Sequence, residues 1–419
     1  MSSRTPSAPA VARPGWGQAV ATVLAGLLAM GVVAALGLWA AGAGDLPDGA
    51  FPRVVVATVV TAVGGVVRMS GDAGGLAETR AGVDVIPLSV TLAGALVIAA
   101  GFVRPLRQGS VSGAGELAGW AVRISVPWLL ALLGLALGAR QTFTISLGEG
   151  MISDIGDLFG ITPEVGFAAD VPLTLLCGLL WLAVVLVLAP LASRGAPLPG
   201  SLTRFQEAVH PAAYAMVMLL LVCVGLGLVV GLVAATTRGH PAETFAVLLL
   251  GLPNLAWLAL TLGLGATWDG RVEGPFALPM PHVLDQVLRS SDVSAVNVGT
   301  LAEHDGRVWW LVPVAAVLVL AAAFVTAAGS PAGMPLWRHA VHMAVALALT
   351  VLLICLLGRV SASYGLSVLG IGELGGDLAG ELFLRPRIWS ALGLAVLWGL
   401  VTGLLGALLA KGLRRKGAG

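Results

Sequence analysis

Eight apolar runs, each about the length of a membrane span, organise this chain. They lie at about 17–41, 85–103, 117–138, 171–192, 212–235, 308–328, 339–358 and 388–410. A helix needs about 20 mainly apolar residues to cross a hydrocarbon core of about 30 Å. Inside a bilayer the backbone must satisfy its own hydrogen bonds, which restricts such runs to helices. Composition agrees: 58% of the 419 residues are hydrophobic and 11% are charged. These runs predict an all-α polytopic membrane protein. Run 17–41 is too long for a signal-peptide core of about 7–15 residues, so an uncleaved anchor is expected.

Two further apolar stretches are ambiguous. Residues 54–67 end in Gly64-Gly65, and about 14 residues rise only about 21 Å as a helix. Residues 245–265 are long enough, but Gly251-Leu252-Pro253-Asn254 interrupts them, and a proline removes one ladder donor. Both are expected to be broken or re-entrant segments. Charge supports this. If neither crosses and the N-terminus is cytoplasmic, the inner segments hold 12 of the 23 basic residues and only two of the 22 acids, Glu116 and Glu207. The short inner loops and both tails are then basic, as the positive-inside rule requires. Tryptophans fall at the expected interfaces: Trp16, Trp120 and Trp337 inside, and Trp39, Trp268, Trp309, Trp310 and Trp389 outside.

The chain also reads as two copies of one unit. An offset of 194 aligns Gly31 with Gly225, Gly37 with Gly231, Leu38 with Leu232, Ala40 with Ala234, Ala41 with Ala235, Pro47 with Pro241 and Phe51 with Phe245. Leu76-Ala77-Glu78 before Pro87 similarly mirrors Leu301-Ala302-Glu303 before Pro313. Four crossings per half would make the repeats parallel, turned about the membrane normal by about 180°. The expected organisation is a cytoplasmic tail (1–16), a first membrane repeat (17–192), a cytoplasmic linker (193–211), a second repeat (212–410) and a basic cytoplasmic tail (411–419). Residues 282–289 predict a short amphipathic helix on the membrane interface.

Catalytic signatures are missing. Neither lysine precedes Ser or Thr, so there is no phosphate-binding loop, and no His-Glu-x-x-His or Gly-x-Ser-x-Gly motif occurs. His339 and His342 share a helical face but have no acid or thiol nearby in sequence, so they read as a polar helix end rather than a metal site. The net charge of +1 argues against nucleic-acid binding. Cys177, Cys223 and Cys355 lie in apolar runs and form no disulfide framework. The eight runs lack Asp, Glu and Lys in their interiors, which counts against an ion-coupled transporter.

Residues 64–87 (Gly-Gly-Val-Val-Arg-Met-Ser-Gly-Asp-Ala-Gly through Ile-Pro), 248–268 (Leu-Leu-Leu-Gly-Leu-Pro-Asn through Ala-Thr-Trp) and 366–370 (Leu-Ser-Val-Leu-Gly) resemble the streptophobe family. These are very hydrophobic actinobacterial membrane proteins without an assigned activity. The resemblance implies the membrane class and adds no mechanism.

The sequence therefore predicts a multi-pass plasma-membrane protein with both termini cytoplasmic, without catalytic residues, cofactor or metal. Its partner is the lipid bilayer. Its expected role is a passive permeation path for a small solute or lipid, with Gly64, Gly65, Gly251, Pro253 and Asn254 as the candidate path. The alternative is a non-catalytic scaffold or assembly factor that binds a partner through its acidic outer loops. Glu78, Asp84, Glu303 and Asp305 are the candidate acidic vestibule.

Overall fold

The computed structural model describes residues 14–46, 49–72, 77–111, 113–144, 164–193, 203–237, 241–273, 282–289, 293–331, 333–368 and 380–416. In chain order the elements are α1 (Trp16–Ala40), α2 (Ala50–Ala62), β1 (Val67–Asp72), β2 (Ala77–Val85), α3 (Leu88–Arg107), α4 (Ala114–Gly138), β3 (Arg140–Thr144), β4 (Glu164–Ala169), α5 (Val171–Ala192) and α6 (Thr203–Thr237). They continue with α7 (Pro241–Gly263), β5 (Trp268–Val272), α8 (His282–Leu288), β6 (Ser294–Val296), α9 (Val298–Ala302), α10 (Leu311–Gly329), α11 (Leu336–Leu357), β7 (Val360–Val368), β8 (Gly380–Pro386) and α12 (Ile388–Lys416). The protein is an all-α polytopic membrane protein in its spanning part. Among the described residues, nine helices are long and apolar enough to cross a bilayer.

Each long helix buries one stripe and turns the rest outward. In α4 the buried residues are Trp120, Ile124, Trp128, Leu132 and Ala136, spaced every fourth position, while Val122, Val126 and Leu130 are exposed. That spacing follows the helical period. The indoles of Trp120 and Trp128 donate to the carbonyls of Phe102 (3.2 Å) and Gly178 (3.0 Å), so their polar atoms are satisfied in the core. Small residues set the closest helix contacts. A Cβ on Gly403 of α12 would lie 2.8 Å from the Cα of Ala340 in α11, so the two backbones touch. Such contacts drive association in lipid, where apolar burial alone gives little.

An eight-stranded antiparallel sheet, absent from the sequence-based expectation, closes one end of the bundle. Its order is β3-β4-β1-β2-β7-β8-β5-β6. β2 and β7 pair along nine positions, from Ala77 opposite Val368 to Val85 opposite Val360. Helices α3, α5 and α12 start within three residues of a strand, and α4 and α11 end within three residues of one. The sheet is open between β6 and β3 among the described residues. Units related by a 180° turn would pair β6 with β3 as β2 pairs with β7, so the sheet does not follow the expected rotation.

Side-chain contacts tie the other ends of the helices together. Arg123 of α4 donates to the carbonyl of Pro14 ahead of α1. Arg107, at the end of α3, donates to the Ser193 hydroxyl after α5, and His210 of α6 bonds the Ser193 carbonyl. Gly329 at the end of α10 lies against Pro211, and Gly403 of α12 lies against the start of α11. The first described residues, ahead of α1, and the end of α12 therefore lie at the end opposite the sheet.

The two ambiguous stretches resolve through their connections. Helix α2 has 13 residues, about 20 Å, too short to cross. Its first turn bonds at the sheet end, where Arg53 donates to the carbonyl of Arg140 and to Gln141. Its last turn reaches Gly64, which packs on Cys177, about 9 Å down α5. The chain then returns, because the carbonyl of Val66 accepts the amide of Asp170 at 2.9 Å.

Helix α7 corrects the expected break at Gly251–Asn254: its 23 residues are one continuous helix through Pro253. The Ser89 hydroxyl enters the helical ladder there, accepting from the Leu252 amide (3.2 Å) and donating to the Leu248 carbonyl (3.0 Å). Serine side chains that satisfy backbone groups beside a proline help a membrane helix tolerate it. Length alone would let α7 cross. Its connections do not. It starts after α6 emerges on the sheet side and ends five residues before β5. Five extended residues reach about 17 Å, too little to recross the core. Among the described residues, eight helices thus run from one end of the bundle to the other, while α2 and α7 begin and end on the sheet side.

Other expectations shift in detail. Trp16, Trp39, Trp309, Trp310, Trp337 and Trp389 are exposed at helix ends, whereas Trp120 and Trp268 are core residues rather than belt residues. Helix α8 exists, but it lays Leu288 on Gly270 of β5 and covers the sheet, not the membrane interface. Ala77-Glu78 belong to strand β2 and Leu301-Ala302-Glu303 to the end of helix α9, so that sequence match has no common local structure. The linker 193–211 is shortened by the start of α6 at Thr203, and residues 411–416 continue α12 instead of forming a tail.

Candidate functional site: an apolar groove

A cavity of about 1290 Å³ lies between the first-half helices α3 and α5 and the second-half helices α6 and α11, with Trp257 of α7 also on its wall. This exceeds the roughly 300–1,000 Å³ of ordinary small-molecule pockets. It follows α3 from Leu88 to Gln108, a 20-residue helix about 30 Å long, so it runs the depth of the hydrocarbon core. The wall of α3 is cut back at Ala95, Ala99 and Ala100, and that of α5 at Ala189 and Ala192. Small side chains at those positions leave the space open. Leu96, Leu180, Val184 and Leu356 line the cavity and are also exposed, so the groove opens sideways into the surrounding lipid.

Thr91, near the sheet end, donates to the Ala62 carbonyl at 2.6 Å, while the charged lining residues gather at the end away from the sheet. Arg104, Arg107, Gln108 and Ser193 line that mouth. Arg107 Nη2 donates to Ser193 Oγ at 2.9 Å, joining α3 to the segment after α5 across the mouth. In the sequence, Arg104 and Arg107 are two of the 12 basic residues assigned to the inner segments. Their spacing of three residues on one helical face was the available signal that they act together.

Of the five path residues inferred from sequence, only Gly64 lines the cavity. Gly64 has φ +84°, a left-handed turn that suits glycine. Gly65 is buried behind it, where a Cβ would lie 2.8 Å from the Val60 carbonyl oxygen and 2.9 Å from Thr174 Oγ1. Asn254 is a structural clamp instead of a solute ligand. Its Oδ1 accepts the amide of Leu88 (3.1 Å) and its Nδ2 donates to the carbonyl of Ile86 (3.0 Å), capping α3 from another helix. Gly251 and Pro253 sit on the same continuous helix and do not reach the cavity.

The acidic set does not converge. Glu78 and Asp84 lie on β2, and Glu303 and Asp305 follow β6. Three strands, β7, β8 and β5, separate β2 from β6, a distance of about 19 Å across the sheet. Asp305 is engaged locally, accepting from the Arg307 amide at 2.9 Å. Five further acids of the predicted outer loops, Glu149, Asp154, Asp157, Glu373 and Asp377, lie outside the described residues. Among the described residues, no group of three or more His, Cys, Asp or Glu side chains is placed to hold a metal ion.

Comparison with family models, curated proteins and solved structures finds no match, so the groove's chemistry rests on its own residues.

Proposed function

We propose that this protein holds a membrane lipid in the groove between its halves and gives it a passive path along the bilayer depth. The observation that carries this reading is the length of the groove together with its apolar wall. An ion or a sugar leaving water for such a wall would lose its hydration without replacement bonds, at a cost of several kcal/mol. An acyl chain loses nothing there. The lateral opening admits a lipid from the bilayer, and the charged lining residues, Arg104 and Arg107, lie at one end only.

The test is transfer of a fluorescent phospholipid between leaflets of proteoliposomes. Reconstituted protein should speed transfer over empty vesicles, and Ala100→Phe, which fills the groove from an exposed position, should slow it. Equal rates in the two proteins would defeat the permeation reading.

A second reading is a scaffold that binds a protein partner through the sheet. Strands β3 and β6 are the sheet's edges, and edge strands offer unpaired backbone groups. The separation of the acidic residues favours an edge over one acidic patch as the docking element.

We place the protein in the plasma membrane with both termini cytoplasmic, on the basic residues of the end opposite the sheet. We also propose that residues 17–192 and 212–410 are copies of one unit. The strand blocks β3-β4-β1-β2 and β7-β8-β5-β6 follow the same internal order, which supports this. Kinship with the streptophobe family is part of the same proposal and rests on the residues quoted for it.

A further inference from the structure

We infer that Arg104 and Arg107 form the headgroup site for an anionic phospholipid in the leaflet on the side opposite the sheet, with its acyl chains lying in the groove. This rests on the lipid reading above and names the lipid class. The two arginines lie three residues apart in the last turn of α3, so they share one face and their Cβ atoms are about 5–6 Å apart. That spacing lets two planar guanidinium groups grip one phosphate, with parallel N–H donors to its oxygens. Gln108, next on the same mouth, adds an amide donor.

The last turn of any helix favours arginine, because its dipole is negative there. Position alone therefore carries nothing, and three other observations point to a ligand. Both arginines line the cavity itself. Arg107 donates across the mouth to the hydroxyl of Ser193, which also lines the cavity. Neither arginine makes an ion pair among the described residues, whereas Arg68, Arg271, Arg289 and Arg387 each pair with a carboxylate. An apolar groove about as long as the core is thick thus ends in two cations without a counter-ion among the described residues. An amphipathic anion has the complementary shape and charge.

The same purified full-length protein in detergent can be titrated by native mass spectrometry with phosphatidylglycerol, phosphatidylcholine, diacylglycerol and inorganic phosphate. Wild type should bind phosphatidylglycerol best and inorganic phosphate least. Arg104→Gln/Arg107→Gln should weaken phosphatidylglycerol roughly tenfold and leave diacylglycerol unchanged. Ala100→Phe should weaken both lipids. Equal binding of phosphatidylglycerol and diacylglycerol, insensitive to the arginine changes, would overturn the headgroup site and leave the groove reading standing. Loss of phosphatidylglycerol in the arginine variant with no effect of Ala100→Phe would show surface charge attraction and also overturn it. If Ala100→Phe changes no lipid, the groove reading itself fails. Elution volume and melting temperature of each variant establish that it is folded.

Discussion

Arg387 clasps Asp269 with two nitrogens, Nε at 3.0 Å from both carboxylate oxygens and Nη2 at 2.8 Å from one of them. Asp269 is the second residue of β5 and Arg387 immediately precedes α12. Arg68, the second residue of β1, pairs in the same way with Asp170, immediately before α5, at 2.7 Å. The backbone repeats as well: Arg387 N donates to the Thr267 carbonyl (3.0 Å) and Asp170 N to the Val66 carbonyl (2.9 Å). The same join between strand and helix is made twice, with the charges exchanged. Each sits beside a glycine turn, Gly64 at φ +84° and Gly265 at φ +92°.

Because the join works with either sign order, exchanging the charges in the second half should be tolerated. Asp269→Arg and Arg387→Asp should each lower the thermal midpoint slightly, and the double variant should recover most of the loss. The pair is solvent-exposed, so the effects are small. The carboxylate raises the Arg387 pKa above its ordinary value. A raised pKa in the folded state stabilises at every pH below arginine's own titration, so this group adds no pH dependence near neutrality. Additive losses in the double variant, seen in melting curves, would contradict the join.

Asn254→Ala should destabilise the protein by about 1–2 kcal/mol, the usual cost of removing a cap with its bonds. The defect belongs to stability, so lipid binding per folded molecule should not change. A variant that melts normally but fails to bind lipid would return Asn254 to the path.

At the re-entrant turn of the first half, Gly65→Ala should cost more than Gly64→Ala. An alanine at Gly64 meets only ordinary contact with Cys177 at 3.4 Å and carries the left-handed penalty of about 1–2 kcal/mol. At Gly65 the new methyl meets the Val60 carbonyl oxygen at 2.8 Å, on backbone that cannot yield. Melting curves of the two variants should rank in that order.

A reporter active only in the cytoplasm should give signal when fused after the C-terminus and none when inserted after Gly306. Signal at both places would contradict a sheet lying wholly on the outer side.

The spans were legible because a bilayer allows little besides helices of fixed length. Continuity of α7 was not, because Pro253 reads as a break in sequence, whereas the folded helix runs through it with Ser89, more than 150 residues away, bonded to the ladder beside it. The sheet had a local signal that went unread. In β7, Val360, Ala362, Tyr364, Leu366 and Val368 alternate with Ser361, Ser363, Gly365 and Ser367, the period of a strand. Its glycine and serine content obscures that period. The groove could not be read from sequence, since α3, α5, α6 and α11 form it only by packing. Its mouth could: Arg104 and Arg107 are neighbours on one face wherever α3 lies.

The most direct measurement of the central claim is photocrosslinking in proteoliposomes with a phospholipid carrying a diazirine on its acyl chain, followed by peptide mapping. Residues of the groove, such as Leu92, Ala95, Leu180, Val184 and Leu220, should be labelled in excess of Leu28 and Leu36. Those two lie on the outer face of α1 and are themselves exposed to lipid, at 68% and 49%. Labelling that follows exposure alone, with Leu28 equal to or above the groove residues, would contradict a lipid held between the halves.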